Sequence, residues 1–316
     1  MAVPAPQPRA PYVTEASSLL RTLTEERPGP HAQPLPHAAV GGDFVTVRPL
    51  ARGGMASVEL AVQCSRDRVV VLKRPLDGRP EAGAAILREA RVLSELDHPH
   101  VVTMVELARD AAGQPVLAME YARGETWAER LHDPAGRTRG ADRRGSLRAD
   151  VDVLARVADA AQHAHERGWL HRDIKPSNVI VGEPGEVYLI DWGLALPLPV
   201  GAGAPLTPLG AGAGTPRYMA PEMLQGVGPW LTPRTDVYLL GATLHEVLTR
   251  TARHRGATLR ATLYAAWVSE RVEYPAAVPC ALARLANDAT SPWPERRPAS
   301  AAAFRERLMA WRDGAG

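Results

Sequence analysis

The sequence predicts an α+β chain in which strands dominate the first part and helices the second. Three observations lead there. Strand-like apolar runs gather before residue 122, at Phe44-Val45-Thr46-Val47, Val58-Glu59-Leu60-Ala61-Val62, Val69-Val70-Val71-Leu72 and Val116-Leu117-Ala118-Met119. Helical spacing of apolar residues occurs once among them, from Ala84 to Leu96, and then over a longer stretch through Val151, Leu154, Val157, Ala158 and Ala161. A polar stretch, His171-Arg172-Asp173-Ile174-Lys175-Pro176-Ser177-Asn178, lies behind Trp169-Leu170 and ahead of Val179-Ile180-Val181, so a loop rich in functional groups joins two short apolar strands.

With 316 residues, 45% hydrophobic and 23% charged, the chain has material for one large domain or two lobes. Lys and Arg total 37 against 35 Asp and Glu and are scattered, which gives no reason to expect a nucleic-acid partner. The 2 cysteines, Cys64 and Cys280, form no disulfide framework or metal-site spacing and fit a reducing compartment. Both are expected to be small buried apolar side chains. Met1 to Pro11 lacks the apolar centre of a signal peptide, and no run approaches the roughly 18 apolar residues of a membrane span.

Taken in order, residues 1–42 are rich in Pro, Ala and His and read as an extended, solvated tail. Within it, Thr14 to Arg27 could place Leu19, Leu20 and Leu23 on one helical face docked on the small β part, although an isolated helix of this length is marginal. The link Leu50-Ala51-Arg52-Gly53-Gly54-Met55-Ala56-Ser57-Val58 reads either as an ordinary hairpin turn or as a loop whose backbone N–H groups approach a phosphate. Lys73 closes a strongly apolar strand, a setting that a surface lysine does not need. In the following helix Glu89 and Glu95 fall on different faces, and Glu95 reads as solvated surface. Asp97-His98-Pro99 stops that helix, with His98 in a structural role. Residues 134–146 form a basic, glycine-containing loop, read as a solvated insertion. His163 and His165 are two apart and share no helical face, which argues against a metal pair. From Leu194 to Gly214 there is little besides Gly, Ala, Pro and Leu, a composition that suits a mobile loop, with Thr207 before Pro208 as its hydroxyl ahead of Thr215.

The chemistry concentrates in the polar loop. Phosphoryl transfer needs a carboxylate to take the attacking hydroxyl's proton, a cation beside the moving phosphate and an oxygen ligand for a hard metal. Asp173, Lys175 and Asn178 supply these in order, whereas for the loop in isolation a polar turn is the plainer reading. The segment resembles the H-R-D-x-K-P-x-N catalytic loop of the eukaryotic-like, Hanks-type Ser/Thr protein kinases also found in bacteria. Gly214-Thr215-Pro216-Arg217-Tyr218-Met219-Ala220-Pro221-Glu222 resembles that family's G-T-x-x-Y-x-A-P-E, and Asp191-Trp192-Gly193 its D-F-G, with Trp for Phe. Lys73 matches the lysine of V-A-I-K, with Val71 in the alanine position. The link from Leu50 to Val58 resembles G-x-G-x-x-G-x-V, matching at Gly53 and Val58, while Ala51 and Ala56 replace the outer glycines.

The resemblance, over about residues 44–312, implies a two-lobed protein kinase-like fold: a small antiparallel β lobe with one helix over about 43–122 and a larger, mainly helical lobe over about 123–312. It implies a Ser/Thr protein kinase that moves the γ-phosphoryl of ATP to protein hydroxyls in signalling, with autophosphorylation and a transient homodimer to carry it out. By the same likeness Asp173 is the base, Lys175 offsets phosphoryl charge, and Lys73, paired with Glu89, places the nucleotide. Leu50, Gly53, Val58, Val71, Met119 and the backbones of Glu120 and Ala122 line its pocket. Asn178 and Asp191 hold Mg²⁺, for which Mn²⁺ can substitute. Arg172 receives a phosphate on Thr207, Thr215 touches the catalytic loop, Asp236 holds that loop's backbone, and Glu222 pairs with Arg297. Many bacterial relatives carry a membrane span after this domain; this chain ends at Gly316 and is expected to be a cytoplasmic form. Two alternatives stay open: a pseudokinase scaffold whose Ala51 and Ala56 weaken nucleotide binding, and a small-molecule phosphotransferase of the same fold.

Overall fold

Alternation of apolar side chains sets the first unit. The computed structural model describes residues 43–76, 79–133, 143–198, 213–224 and 231–314. The tail helix expected over Thr14 to Arg27 and the expected phosphosite Thr207 lie outside these residues, as do most of the 134–146 insertion and most of the 194–214 loop. Two compact units result: residues 43–87 with 104–121, and residues 88–103 with 122–314.

The first unit is an antiparallel sheet of order β1-β2-β3-β5-β4, with β1 Phe44–Arg52, β2 Ala56–Gln63, β3 Arg68–Pro75, β4 Met104–Arg109 and β5 Pro115–Glu120. One face carries the core: Phe44, Ala61, Val70, Leu72, Val116 and Ala118 are all buried, with Val105 and Ala108 packed against them. Because strand side chains alternate, Val71 and Lys73 point to the other face. The register pairs Val58 with Lys73, Leu60 with Val71, and Val71 with Met119. The side chains expected to line a nucleotide pocket, Val58, Val71, Lys73 and Met119, therefore share the face opposite the apolar core. Helix α1, Pro80–Glu95, follows and passes into the second unit after Leu87.

The second unit is mainly helical, with α2 Trp127–His132, α3 Arg143–Glu166, α4 Pro233–Thr249, α5 Leu259–Val268, α6 Cys280–Ala289 and α7 Ala301–Arg312. Helix α3 starts at Arg143, inside the stretch expected to be loop. Its predicted face is in place, since Val151, Leu154, Val157, Ala158 and Ala161 are all fully buried. Helix α4 is buried continuously from Thr235 to Val247, which marks it as the unit's centre. Small strands add a hairpin-like sheet, β6 Glu125–Thr126 beside β8 Val179–Val181 beside β9 Val187–Leu189, and a pair, β7 Trp169–Leu170 with β10 Leu196–Pro197. Gly124, at φ +137°, is required here: a Cβ would lie 2.3 Å from the Val181 carbonyl oxygen. Among the described residues no helix is long and apolar enough to cross a membrane.

Both cysteines are exposed, against expectation. Each sits at an element's edge, Cys64 opening a 3₁₀ turn and Cys280 starting α6, where Arg284 donates to its Sγ at 3.2 Å and 3.4 Å. Position overrides the usual preference of free thiols for the interior.

Three imidazoles are held neutral inside the second unit. Burial first, then the Arg253 charge, pushes His254 down to about 3 and His245 to about 4. His98 is lowered to about 4, by burial and then by neighbouring His163 and His100. His254 shares a hydrogen bond with Tyr238 Oη at 2.9 Å, and His245 Nδ1 one with Tyr274 Oη at 2.8 Å. In the unfolded chain each takes up its proton near the ordinary value of 6.5, so between that pH and about 4 the unfolded state binds more protons. Stability is thus expected to be present above pH 6.5 and to fall as pH drops toward 4. Urea unfolding at stepped pH should show it, and His254→Gln should flatten the slope by about 1.4 kcal/mol per pH unit.

Candidate active site

A single buried carboxylate sets the backbone of the polar loop. Asp236, in the first turn of α4, accepts from the His171 N–H at 2.8 Å (Oδ2), the Arg172 N–H at 2.9 Å (Oδ1) and His165 Nε2 at 2.8 Å. Burial alone would raise its carboxyl. The hydrogen bond from His165 and the Arg172 N–H outweigh that and hold it below the ordinary value. The loop backbone consequently reaches a conformation most residues avoid, with Arg172 at φ +68°. Asp191, across the β8–β9 hairpin, is also left-handed at φ +65°. Strain of this kind persists only where the surroundings over-determine it, and it gathers at sites of function.

His171 bridges the two strained positions. Its Nδ1 accepts from the Asp173 N–H at 3.1 Å, so its proton sits on Nε2, which donates to the Ile190 carbonyl at 3.1 Å. Full burial lowers its pKa, consistent with a neutral ring serving both sides. Trp192 meets that ring edge-on at 4.5 Å between centroids.

With the backbone fixed, three polar side chains meet at Asp173. Lys175 Nζ donates to Asp173 Oδ2 at 2.6 Å and to Thr215 Oγ1 at 2.6 Å, and Thr215 Oγ1 donates to Asp173 Oδ1 at 2.7 Å. Asn178 Nδ2 donates to Asp173 Oδ2 and to its carbonyl, each at 2.9 Å. The amide N–H₂ of Asn178 is thereby engaged on the Asp173 side, leaving its oxygen as the acceptor. The Ile190 N–H donates to the Asn178 carbonyl at 2.9 Å, which brings Asp191 beside Asn178. An amide oxygen and a carboxylate suit a hard divalent cation that takes its remaining ligands from phosphate and water. Among the described residues no group of three or more His, Cys, Asp or Glu could hold a metal alone.

Around this centre, Glu89 on α1 is only 2% exposed and accepts from the Trp192 N–H at 3.3 Å. Arg172 is 3% exposed, and its Nε has no hydrogen-bond partner among the described residues. Glu222 meets Arg297 in a bidentate pair at 2.6 Å and 2.8 Å, joined by Thr235 Oγ1 at 3.0 Å. In the first unit, a Cβ at Gly53 would come no closer than 3.6 Å to anything and one at Gly54 would meet nothing within 4 Å. Neither has positive φ, nor do Ala51 and Ala56, so the alanines that break the glycine pattern bring no left-handed strain.

Several polar residues here were missed by sequence reasoning. His165 was weighed only as a metal ligand, yet it holds Asp236. Glu246 on α4 is buried and accepts from Tyr218 Oη and from His132 Nε2, the latter at 2.9 Å. These partners lie far apart in the chain, and no local pattern announces them.

The comparisons with known proteins agree with this geometry. Residues 44–311 match the protein kinase domain profile. Serine/threonine-protein kinase PknK of Mycobacterium bovis is 36% identical over 219 residues, 68% of this chain and 18% of that protein. Pkn1 of Myxococcus xanthus, also a serine/threonine-protein kinase, is 35% identical over 280 residues, 85% of this chain and 38% of that protein. The probable serine/threonine-protein kinase PknB of Bifidobacterium longum is 30% identical over 301 residues, 89% and 41% respectively. This chain therefore spans less than half the length of each of these relatives. A match over most of the chain, together with a polar loop, an Asp-Trp-Gly turn and an Ala-Pro-Glu segment that all meet in one unit, establishes that the chain belongs to the protein kinase domain family.

Proposed function

We propose that this chain is a Ser/Thr protein kinase that transfers the γ-phosphoryl of ATP to Ser or Thr hydroxyls of proteins in signalling, its own included. The observation that carries the reading is the hydrogen-bonded triangle of Asp173, Lys175 and Thr215. Asp173 accepts the proton of the attacking hydroxyl, with Lys175 and Thr215 holding its two oxygens in orientation. Lys175, released toward the phosphoryl group, offsets its charge. Mg²⁺ would be held by Asn178 and Asp191, and when bound would neutralise charge on the β and γ phosphates. Lys73, Gly53, Val58, Val71 and Met119 belong to the nucleotide. Gly53 and Gly54 support this, because the described residues give no steric reason for glycine at either position whereas close approach of a phosphate does. Arg172 is the receiver of a loop phosphate, a role supported by its buried Nε, which has no hydrogen-bond partner among the described residues. Autophosphorylation would proceed through a transient pair of chains.

Incubation with labelled ATP and Mg²⁺ tests the proposal. Phosphate is expected on Ser or Thr of the intact chain and of an added protein acceptor, and Lys73→Met should reduce it to background. No incorporation by a correctly folded chain, or equal incorporation by Lys73→Met, would overturn the reading.

A further inference from the structure

Glu95 was read from the sequence as solvated surface, and its side chain is indeed 42% exposed. Its carboxylate is nevertheless engaged. Trp169 Nε1 donates to Glu95 Oε2 at 2.7 Å, Arg91 Nε donates to Oε1 at 3.3 Å, and the Arg91 guanidinium lies 5.4 Å from the centre of the Trp169 ring. Trp169 itself is 3% exposed and forms β7, the strand that runs directly into the polar loop. An indole N–H drawn to a carboxylate under a stacked guanidinium combines a charge-assisted hydrogen bond with a cation–π contact on one ring.

This contact joins another by which the C-terminal half of α1 is tied within its unit, beside the burial of Val92 and Leu93. At the other, Arg88 donates to the Gly193 carbonyl at 2.7 Å and Glu89 accepts from the Trp192 N–H. Glu89 and Glu95 are six positions apart, about 9 Å along the axis, and about 120° apart around it. A helix held at one point can still pivot about that point. Held at two, on different faces, it has both its position and its rotation set.

The partner strand extends the connection. β7 pairs with β10, Trp169 opposite Pro197 and Leu170 opposite Leu196, and the Leu198 N–H donates to the Gly168 carbonyl at 2.6 Å. The strand that receives Glu95 is thus the one that also anchors the segment following Asp-Trp-Gly.

We propose that Glu95, with Arg91 and Trp169, is a positioning device that fixes the orientation of the C-terminal half of α1, and thereby of Glu89, relative to the catalytic loop. The proposal rests on the kinase reading for its kinetic consequence but not for its structural one. The test uses the full chain and three variants. Glu95→Leu removes the acceptor, Glu95→Gln retains an oxygen that can accept from the indole, and Trp169→Phe keeps the ring without its N–H. Glu, Gln and Leu have similar helix propensities, so the helix itself is not perturbed by the choice. In Glu95→Leu and Trp169→Phe, kcat for a Ser/Thr peptide should fall about five- to tenfold with KM for the peptide within about twofold, the loss expected from one hydrogen bond on a partly exposed acceptor. Amide hydrogen exchange should accelerate over residues 88–95 and at Trp192, with the amides around Glu222 and Arg297 unchanged. Glu95→Gln should restore both readouts most of the way.

Unaltered exchange over 88–95 in Glu95→Leu would overturn the proposal, as would a Glu95→Gln variant impaired as deeply as Glu95→Leu. Because exchange is read without turnover, a chain that transferred no phosphate would refute the kinase reading while still deciding this one.

Discussion

Replacing Asp173 by Asn is expected to lower phosphate transfer by about 10²- to 10⁴-fold, the usual share of a positioned general base. The substitution is nearly isosteric, and the amide oxygen can still accept from Lys175 or Thr215, so the loop should keep its shape. What disappears is the capacity to take a proton from the incoming hydroxyl. Transfer to a peptide at saturating ATP measures the effect, with thermal melting as the control for fold. Undiminished transfer in Asp173→Asn would remove the assignment of the base, whatever the chain's family.

The largest expected effect on stability falls on the pair Glu222 and Arg297. Their side chains are 6% and 0% exposed. Beyond the bidentate contact, Arg297 Nε donates to the Ser291 carbonyl at 2.8 Å and Nη1 to the Arg234 carbonyl at 3.0 Å, with the guanidinium 4.9 Å from the Tyr238 ring centre. Arg297→Met strips the counter-charge and leaves a carboxylate buried without compensation, which typically costs about 3 to 5 kcal/mol. Against a total of about 5 to 15 kcal/mol for a domain, that is enough to unfold a marginal protein. A shift of the urea midpoint at pH 7 reads the loss. Adding Glu222→Leu to Arg297→Met should recover part of it, because no lone charge then remains, though the carbonyls of Ser291 and Arg234 still lack their donor. A double variant as unstable as Arg297→Met alone would show that those carbonyl contacts, and not the ion pair, dominate.

Much of this arrangement was legible in the chain because it rests on short-range pattern. The continuous apolar run Val69-Val70-Val71-Leu72 identified β3, and the pleat of that strand puts Lys73 on the face away from the core. Helical spacing identified the buried stripe of α3. The cluster in the polar loop could be read because Asp173, Lys175 and Asn178 lie close together in the chain, so the contacts of Lys175 and Asn178 with Asp173 are local. What the sequence concealed was long-range. Nothing in Glu95 or Trp169 singles out the other, nor Glu246 for Tyr218 and His132, because those pairings depend on how separate elements pack. The cysteines were misjudged for a related reason: residue preference gives the average environment of a thiol, and the ends of two particular elements decided these.

Asp236 carries one more implication. Loops that perform chemistry are commonly among the loosest parts of a protein, opening at little cost in free energy. Here the peptide groups on either side of His171 are fastened to the first turn of the most deeply enclosed helix. Opening this loop means extracting a carboxylate from the interior, so its lifetime in the closed form is tied to that of the helical body as a whole. Whatever movement the chain undergoes has to be supplied by its other parts, with Asp173 and its neighbours as the stationary reference.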